Sequence, residues 1–191
     1  MTLDPERLKL RQAVSIRSHE LSELTPEVKK SAVELLGRVF NDGKDYDRKV
    51  NGDPELVRCV TAFDKDRLIG YLALVDRHTV HNFHQYLIGG AGNMVIDQEY
   101  RHLRLGVDMM SVINAILVHA SYDIGMGFCT PELLKFYAQA GWILKPKGRI
   151  FARENGTLTD KGITVLYPTN QNSSEESFWF NDDINIGKSG W

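Results

Sequence analysis

Residues Asn93 to Met110 read N-M-V-I-D-Q-E-Y-R-H-L-R-L-G-V-D-M-M. The first part is an apolar run typical of a buried strand, the middle is a short charged turn, and the last part begins an amphipathic helix. A strand that leads directly into a helix leaves the first backbone N–H groups of that helix without partners, and these groups attract an anion. The stretch therefore predicts a phosphate-binding junction.

The remaining sequence predicts strands and helices on either side of this junction. Polar, turn-rich loops are expected at residues 41–54 and 78–85, and strands and turns, including F-W-F at 178–180, are expected after Trp142. The order predicts an α+β fold with a central mixed, mostly antiparallel sheet and helices on both faces. The predicted elements are a strand near Val14 and Ile16, a helix that begins at Pro26, a hairpin at 58–63 and 67–75, a glycine-rich strand at 87–96, a helix at 105–120, a strand at 124–128, and a helix from Pro131 to Gly141.

Composition limits the class of protein. The 191 residues are 42% hydrophobic and 25% charged, which predicts a single domain over 1–191, with residues 1–12 as a flexible or accessory segment. The net charge of −2 gives no reason to expect nucleic acid as a partner. A charged N-terminus and the lack of a long apolar segment predict a cytoplasmic protein without membrane contact. Cys59 and Cys129 have no metal-type spacing, so no metal site is expected, and each thiol is interpreted as a small buried side chain.

Three features together resemble a known family. They are the element order, the charged turn at Tyr100 to Gly106, and K-F-Y-A-Q-A-G-W at Lys135 to Trp142, and they resemble the GNAT superfamily of N-acyltransferases. Within it, the chain most resembles the aminoglycoside 2′-N-acetyltransferases from about Phe40 onward. The hairpin, the segment G-W-I-L-K-P-K-G-R-I-F and the final Trp191 carry that likeness. A more distant likeness exists to the rhizobial nodulation N-acyltransferases.

The resemblance implies a co-substrate, acetyl-CoA or another acyl-CoA. Its pantetheine arm is expected along the backbone of Met94, Val95 and Ile96. Arg104 stands where most GNAT proteins have glycine, and Asp108, one turn into the helix, would repel a phosphate. The residues expected around the pyrophosphate are Arg101, His102, Leu103, Arg104, Leu105, Gly106 and Val107.

The resemblance also implies catalytic residues. Tyr137 matches the tyrosine that protonates the departing thiolate in many GNAT enzymes, a general-acid role. Aminoglycoside acetyltransferases of this type carry a glutamate base at the position of Gly92, which has no side chain here. The preceding loop offers an imidazole instead, from His84 or His81, and His84 is the catalytic candidate of the two.

The acceptor side resembles the aminoglycoside group in acidic residues and in the C-terminal tryptophan. Asp47, Asp183 and Trp191 are the predicted substrate-binding residues. The acceptor itself is an amine, on a small molecule or on a protein, and the sequence leaves a homodimer open.

These features predict an acyl-CoA-dependent N-acyltransferase in which the amine attacks the thioester directly. Acetyl is the simplest acyl group, although the three glycines of residues 89–92 leave room for a longer chain. Two alternatives remain open. One is a GNAT-fold protein that has lost catalysis and binds a protein partner, and the other is an acetyltransferase directed at proteins.

Overall fold

The computed structural model describes residues 4–40, 44–154, 157–169 and 177–188. Several of its elements begin or end at residues that favour caps and turns. Pro26 opens a 15-residue helix, as predicted. The helices are α1 Pro5–Ala13, α2 Pro26–Phe40, α3 Tyr46–Asn51, α4 Leu105–His119, α5 Leu134–Gln139 and α6 Phe178–Asn181. The strands are β1 Val14–Glu20, β2 Leu56–Asp64, β3 Arg67–His81, β4 His84–Ile96, β5 Ile124–Phe128, β6 Ile143–Leu144, β7 Ile150–Glu154, β8 Thr157–Asp160, β9 Thr164–Pro168 and β10 Ile184–Lys188.

The strands form two sheets. The larger has the order β1-β2-β3-β4-β5-β9-β6, and the smaller has the order β10-β7-β8. In the larger sheet β1 pairs antiparallel with β2, and β9 pairs antiparallel with β5 and β6, whereas β4 and β5 are parallel. The predicted α+β fold with a mixed, mostly antiparallel sheet flanked by helices is confirmed.

The chain divides into two compact units. The first contains Met1–Leu74 and Asn93–Val112, and the second contains Val75–Gly92 and Ile113–Trp191. In the first unit, helix α4 lies close to strand β3, since a Cβ built on Gly70 would come within 3.1 Å of the Met109 sulfur. Gly70 therefore gives α4 its close approach to the sheet.

The second unit has its own apolar core. Large side chains from β5, β9 and α6 meet there, and Trp179 and Phe180 of α6 are almost wholly buried. Burial of such aromatic residues supplies much of the apolar area that stabilises a small unit. The buried members are Ile88, Ile124, Met126, Ile150, Ala152, Leu166, Trp179, Phe180, Ile184 and Ile186.

Three local predictions were wrong. Strand β3 reaches His81 and β4 begins at His84, so the loop predicted at 78–85 is a two-residue turn. Both turn residues have left-handed backbones, with φ 48° at Asn82 and 65° at Phe83, as the twist of a tight hairpin requires. The F-W-F segment forms helix α6 rather than a strand. The sequence could not distinguish the two, because three consecutive aromatic residues show neither a helical nor a strand period.

The third error concerns the polar stretch 41–54, which contains helix α3. Asp45 caps this helix by accepting the N–H of Arg48 at 2.9 Å, and Tyr46 and Val50 are buried four residues apart. One helical turn with two apolar residues is too short to show periodicity in a sequence. Residues 5–13, most of them in the predicted flexible or accessory segment, form helix α1.

We expect Gly125→Ala to lower the free energy of unfolding by about 1–3 kcal/mol, the usual cost of overpacking a core. The added Cβ would lie 2.6 Å from Leu117 Cδ1 and 2.9 Å from Tyr167 Cβ. Gly37→Ala is the matched control, because a Cβ there meets nothing within 4 Å and alanine is favoured in a helix by about 0.5–1 kcal/mol. Urea unfolding measures both, and equal effects would contradict the packing described.

Candidate active site

The predicted pantetheine segment lies in the last part of strand β4. This strand pairs with β5 in parallel at Ile88↔Ile124, Gly89↔Gly125 and Gly90↔Met126. It then continues from Ala91 to Ile96, and Met94, Val95 and Ile96 lie in this extension. Asn93, at its centre, has φ 51°, a left-handed conformation that asparagine tolerates better than most residues.

Asp97 fixes the chain where it leaves β4. Its N–H donates to the Ile69 carbonyl at 2.7 Å, and its side chain is 7% exposed. Its Oδ2 accepts one hydrogen bond each from Arg38 and Arg67, both at 2.8 Å. Because each bond joins opposite charges around a buried carboxylate, the start of the turn is held firmly.

The turn itself has two residues in the left-handed region. His102 has φ 69° and Arg104 has φ 64°, whereas Leu103 between them is buried. Non-glycine residues adopt such angles at a cost of about 1–2 kcal/mol each. Arg104 therefore occupies a position with glycine-type backbone geometry.

Helix α4 begins directly after Arg104. The N–H groups of Val107 and Asp108 donate to the Arg104 carbonyl, at 3.0 and 3.2 Å. In the described part of the chain, no acceptor engages the N–H of Leu105 or Gly106. These are two of the four N–H groups that an α-helix leaves without internal partners, at its positive end.

Cationic side chains surround this helix start. Arg101 and Arg104 are both exposed. Arg101 donates through Nε to the Ile96 carbonyl at 3.4 Å, and the Arg104 guanidinium makes no hydrogen bond or ion pair with any residue the structure describes. Of the predicted pyrophosphate residues, Arg101, His102 and Arg104 are thus exposed, whereas the side chains of Leu103 and Leu105 are buried.

Tyr137 belongs to the second unit, on helix α5. Its side chain is 7% exposed, and its ring packs at 5.8 Å from that of Trp142. Trp142 is itself held by Asn114, which accepts its indole N–H at 2.8 Å. Burial, reinforced by the nearby Cys129 thiol, raises the pKa of Tyr137 to about 12. The phenol therefore stays protonated at neutral pH, as a proton donor must.

The histidine candidates lie near the hairpin between β3 and β4. His84 is exposed and makes no hydrogen bond or ion pair with another described residue, so its role stays a prediction. His81 stacks on Phe178, with ring centroids 4.2 Å apart, and its Nε2 lies 3.2 Å from Asp182. Its contacts are those of a residue that holds α6 in place.

The predicted acceptor residues have structural contacts of their own. Asp47 is exposed and accepts the Asn51 side-chain amide at 2.9 Å within α3. Asp183 is exposed and accepts the Arg149 N–H at 2.7 Å, next to the start of β7. Trp191 lies outside the described residues. Substrate binding by these three residues stays a prediction.

Metal and thiol chemistry find little support in the described ranges. No group of three or more His, Cys, Asp or Glu side chains there is arranged to hold a metal ion. Burial raises the pKa of the Cys59 thiol to about 12 and also raises that of Cys129, so neither side chain is a ready thiolate. Among the described residues, no helix is long and apolar enough to cross a membrane.

Sequence reasoning missed four residues around the site, Asp97, Arg38, Arg67 and Arg11. Asp97 stood in the stretch that defined the junction, but its partners Arg38 and Arg67 lie far away in the sequence. Arg11 contacts Asp108 across 97 positions, and no local pattern could have indicated that pair.

Comparison with known proteins identifies the fold. No family model matches the sequence. YhbS, a GNAT-family N-acetyltransferase from Escherichia coli in complex with coenzyme A, is similar over 97% of this chain and 93% of its own, with a TM-score of 0.63 and 18% identity. The aminoglycoside acetyltransferase meta-AAC0020, from an uncultured soil sample and in complex with trehalose, is similar over 68% of this chain and 88% of its own, with a TM-score of 0.54 and 12% identity.

A protein from Enterococcus faecalis, described as a probable N-acyltransferase, matches 69% of this chain with a TM-score of 0.56 and 16% identity. The chain spans 33% of that protein's length. At these identities the likeness establishes the fold. The chain thus has the fold of GNAT N-acetyltransferases, and the narrower likeness to the 2′-N group stays a prediction.

We expect Arg104→Gly to raise the free energy of unfolding by about 1 kcal/mol, because glycine adopts φ 64° without a steric penalty. Arg101→Gly is the matched control. Arg101 has φ −63°, so glycine there should lower stability by about 0.5–1 kcal/mol through its greater freedom in the unfolded chain. Thermal and urea unfolding test the pair, and a loss of stability in both variants would contradict the left-handed turn.

Proposed function

We propose that this protein is an acyl-CoA-dependent N-acyltransferase. The single observation that carries the proposal is the junction between β4 and α4 in the first unit. There, free N–H groups at Leu105 and Gly106, left-handed residues at 102 and 104, and unpaired positive charge at Arg104 occur together. Such a surface fits a pyrophosphate, since it offers backbone donors, a helix dipole and a guanidinium to one anion.

The residues present fit the coenzyme in a second respect. Three carboxylates at the junction are paired with arginine: Asp97 with Arg38 and Arg67, Glu99 with the same Arg67, and Asp108 with Arg11. None of these acids therefore opposes a phosphate with a full negative charge. Met94, Val95 and Ile96 lie on the same unit directly before the turn, and we assign the pantetheine arm to their backbone groups.

Acyl-CoA supplies a thioester for the reaction. We propose that the neutral acceptor amine attacks the thioester carbonyl, that a C–N bond forms as the C–S bond breaks, and that the amine loses a proton to water. Tyr137 is the proposed donor of the proton that the departing thiolate receives, and water returns a proton to its phenolate. Gly92 and Asn93 supply no base, so the amine's own ionisation governs how much of it can react.

One observation bears on the acceptor. The ammonium of Lys49 donates to Asn93 Oδ1 at 3.4 Å, next to the proposed pantetheine segment. This cation disfavours the polycationic acceptors that the resemblance implies. The acceptor proposed is therefore an amine in general, on a small molecule or a protein, with acetyl as the simplest acyl group.

The glycine at position 92 also favours a second candidate function, a non-catalytic protein that binds a partner through a GNAT scaffold. The two candidates differ in one result. An enzyme acylates at least one member of a broad amine panel, and Tyr137→Phe reduces that rate. A non-catalytic scaffold protein shows no turnover, whether or not it binds the coenzyme.

We expect coenzyme A to bind with a measurable heat in calorimetry, and Arg104→Gly to weaken this binding several-fold because one charge-assisted contact to phosphate is lost. Arg149→Gln is the control, since Arg149 is exposed and lies in the second unit. A lack of heat at millimolar coenzyme A would overturn the proposed function. Tighter binding by Arg104→Gly would mean that the arginine only obstructs the site.

We expect Tyr137→Phe to lower kcat about 100-fold, within the usual range for a lost general acid. Because the pKa of Tyr137 is about 12, the proton is retained throughout the neutral range, and the wild-type rate should rise with pH as the amine deprotonates and fall only near that pKa. His84→Gln tests the remaining imidazole. If His84 is the base, His84→Gln should also lower kcat, whereas an unchanged kcat would mean that the amine loses its proton to water.

A further inference from the structure

An ion pair joins the first helix of the chain to the start of α4. The Nη2 atom of Arg11 lies 2.7 and 2.9 Å from the two carboxylate oxygens of Asp108. Each side chain is 34% exposed, so solvent only partly screens the pair. Arg11 is in the last turn of α1, and Asp108 is in the first turn of α4.

Apolar packing does not explain why α1 lies where this pair can form. Helix α1 buries none of its residues, and Leu8 is 45% exposed. A helix that docks for stability normally covers an apolar stripe. Leu10 of α1 is partly buried, and the Arg11–Asp108 ion pair is the polar contact of α1 with the start of α4.

Asp108 has opposite effects on the helix and on an anion. A carboxylate in the first turn stabilises the helix through the macrodipole, but it repels a phosphate held at the same N-terminus. A guanidinium that binds both oxygens offsets the charge of Asp108 and so reduces the repulsion of a phosphate. Asp97, on the other flank of the turn, likewise forms ion pairs with Arg38 and Arg67.

We propose that Arg11 is a positioning residue for the donor: through Asp108, it sets the charge at the start of α4 that the pyrophosphate meets. This inference rests on the proposed function, because it concerns the same anion site. It assigns the N-terminal helix a role in coenzyme affinity, although Arg11 itself need not touch the coenzyme.

Four variants and two ligands test the proposal. The variants are Arg11→Gln, Arg11→Lys, Asp108→Asn and the double variant Arg11→Gln with Asp108→Asn. The ligands are coenzyme A and pantetheine, which lacks the pyrophosphate, and NMR titration measures both dissociation constants. Urea unfolding of each variant reports any loss of structure separately.

We expect Arg11→Gln to weaken coenzyme A binding about five- to tenfold, because it leaves a carboxylate unpaired next to the phosphates. Pantetheine affinity should not change. Asp108→Asn should bind coenzyme A as well as the wild type or better, Arg11→Lys should retain most of the affinity, and the double variant should recover to within about twofold of the wild type.

Two results would overturn the proposal. If Arg11→Gln loses the same affinity for coenzyme A and for pantetheine, the Arg11–Asp108 ion pair only holds α1 in place. A double variant as weak as Arg11→Gln would show that Arg11 does not act through Asp108. If the wild type binds neither ligand, the proposed function fails instead, and the two failures are thereby distinguished.

Discussion

The buried carboxylate of Asp97 is the interaction on which the candidate site depends. Its N–H is bonded to β3 and its side chain to arginines from α2 and β3, so the chain leaves β4 in a fixed direction. The left-handed residues His102 and Arg104 lie in the turn that follows, before α4 begins. The N–H groups of Leu105 and Gly106, at the start of α4, have no acceptor among the described residues, and they are the donors that we propose for an anion.

Ion pairs determine the local charge around this turn. The whole chain is slightly acidic, with a net charge of −2, yet the acids on both flanks of the turn are neutralised by arginines from elsewhere in the first unit. The guanidinium of Arg104 keeps no partner among the described residues. Local charge thus differs from overall charge, and composition alone would not have predicted an unpaired guanidinium beside the start of α4.

Local patterns predicted the elements that have strong periodicity or strong end signals. Pro26 and the apolar spacing of α4 are examples, and the junction at 93–110 followed from a strand that runs into a helix. Helix α3 and helix α6 were missed because one turn carries too little periodicity. The tight turn at Asn82 and Phe83 lacked the glycine that usually marks a left-handed hairpin. Arg11, Arg38 and Arg67 were missed for a different reason: their partners are distant in sequence, and only the fold brings them together.

The most direct test of the account is an NMR titration of the ¹⁵N-labelled protein with coenzyme A. The account predicts that the amide resonances of Leu105 and Gly106 shift most, because their N–H groups would receive the phosphate oxygens, with smaller changes at Met94 to Ile96. Adenosine 3′,5′-bisphosphate, which lacks the pantetheine arm, should leave Met94 to Ile96 unchanged. If the amide resonances of Leu105 and Gly106 do not shift at saturating coenzyme A, the assignment of the junction as the donor site is contradicted.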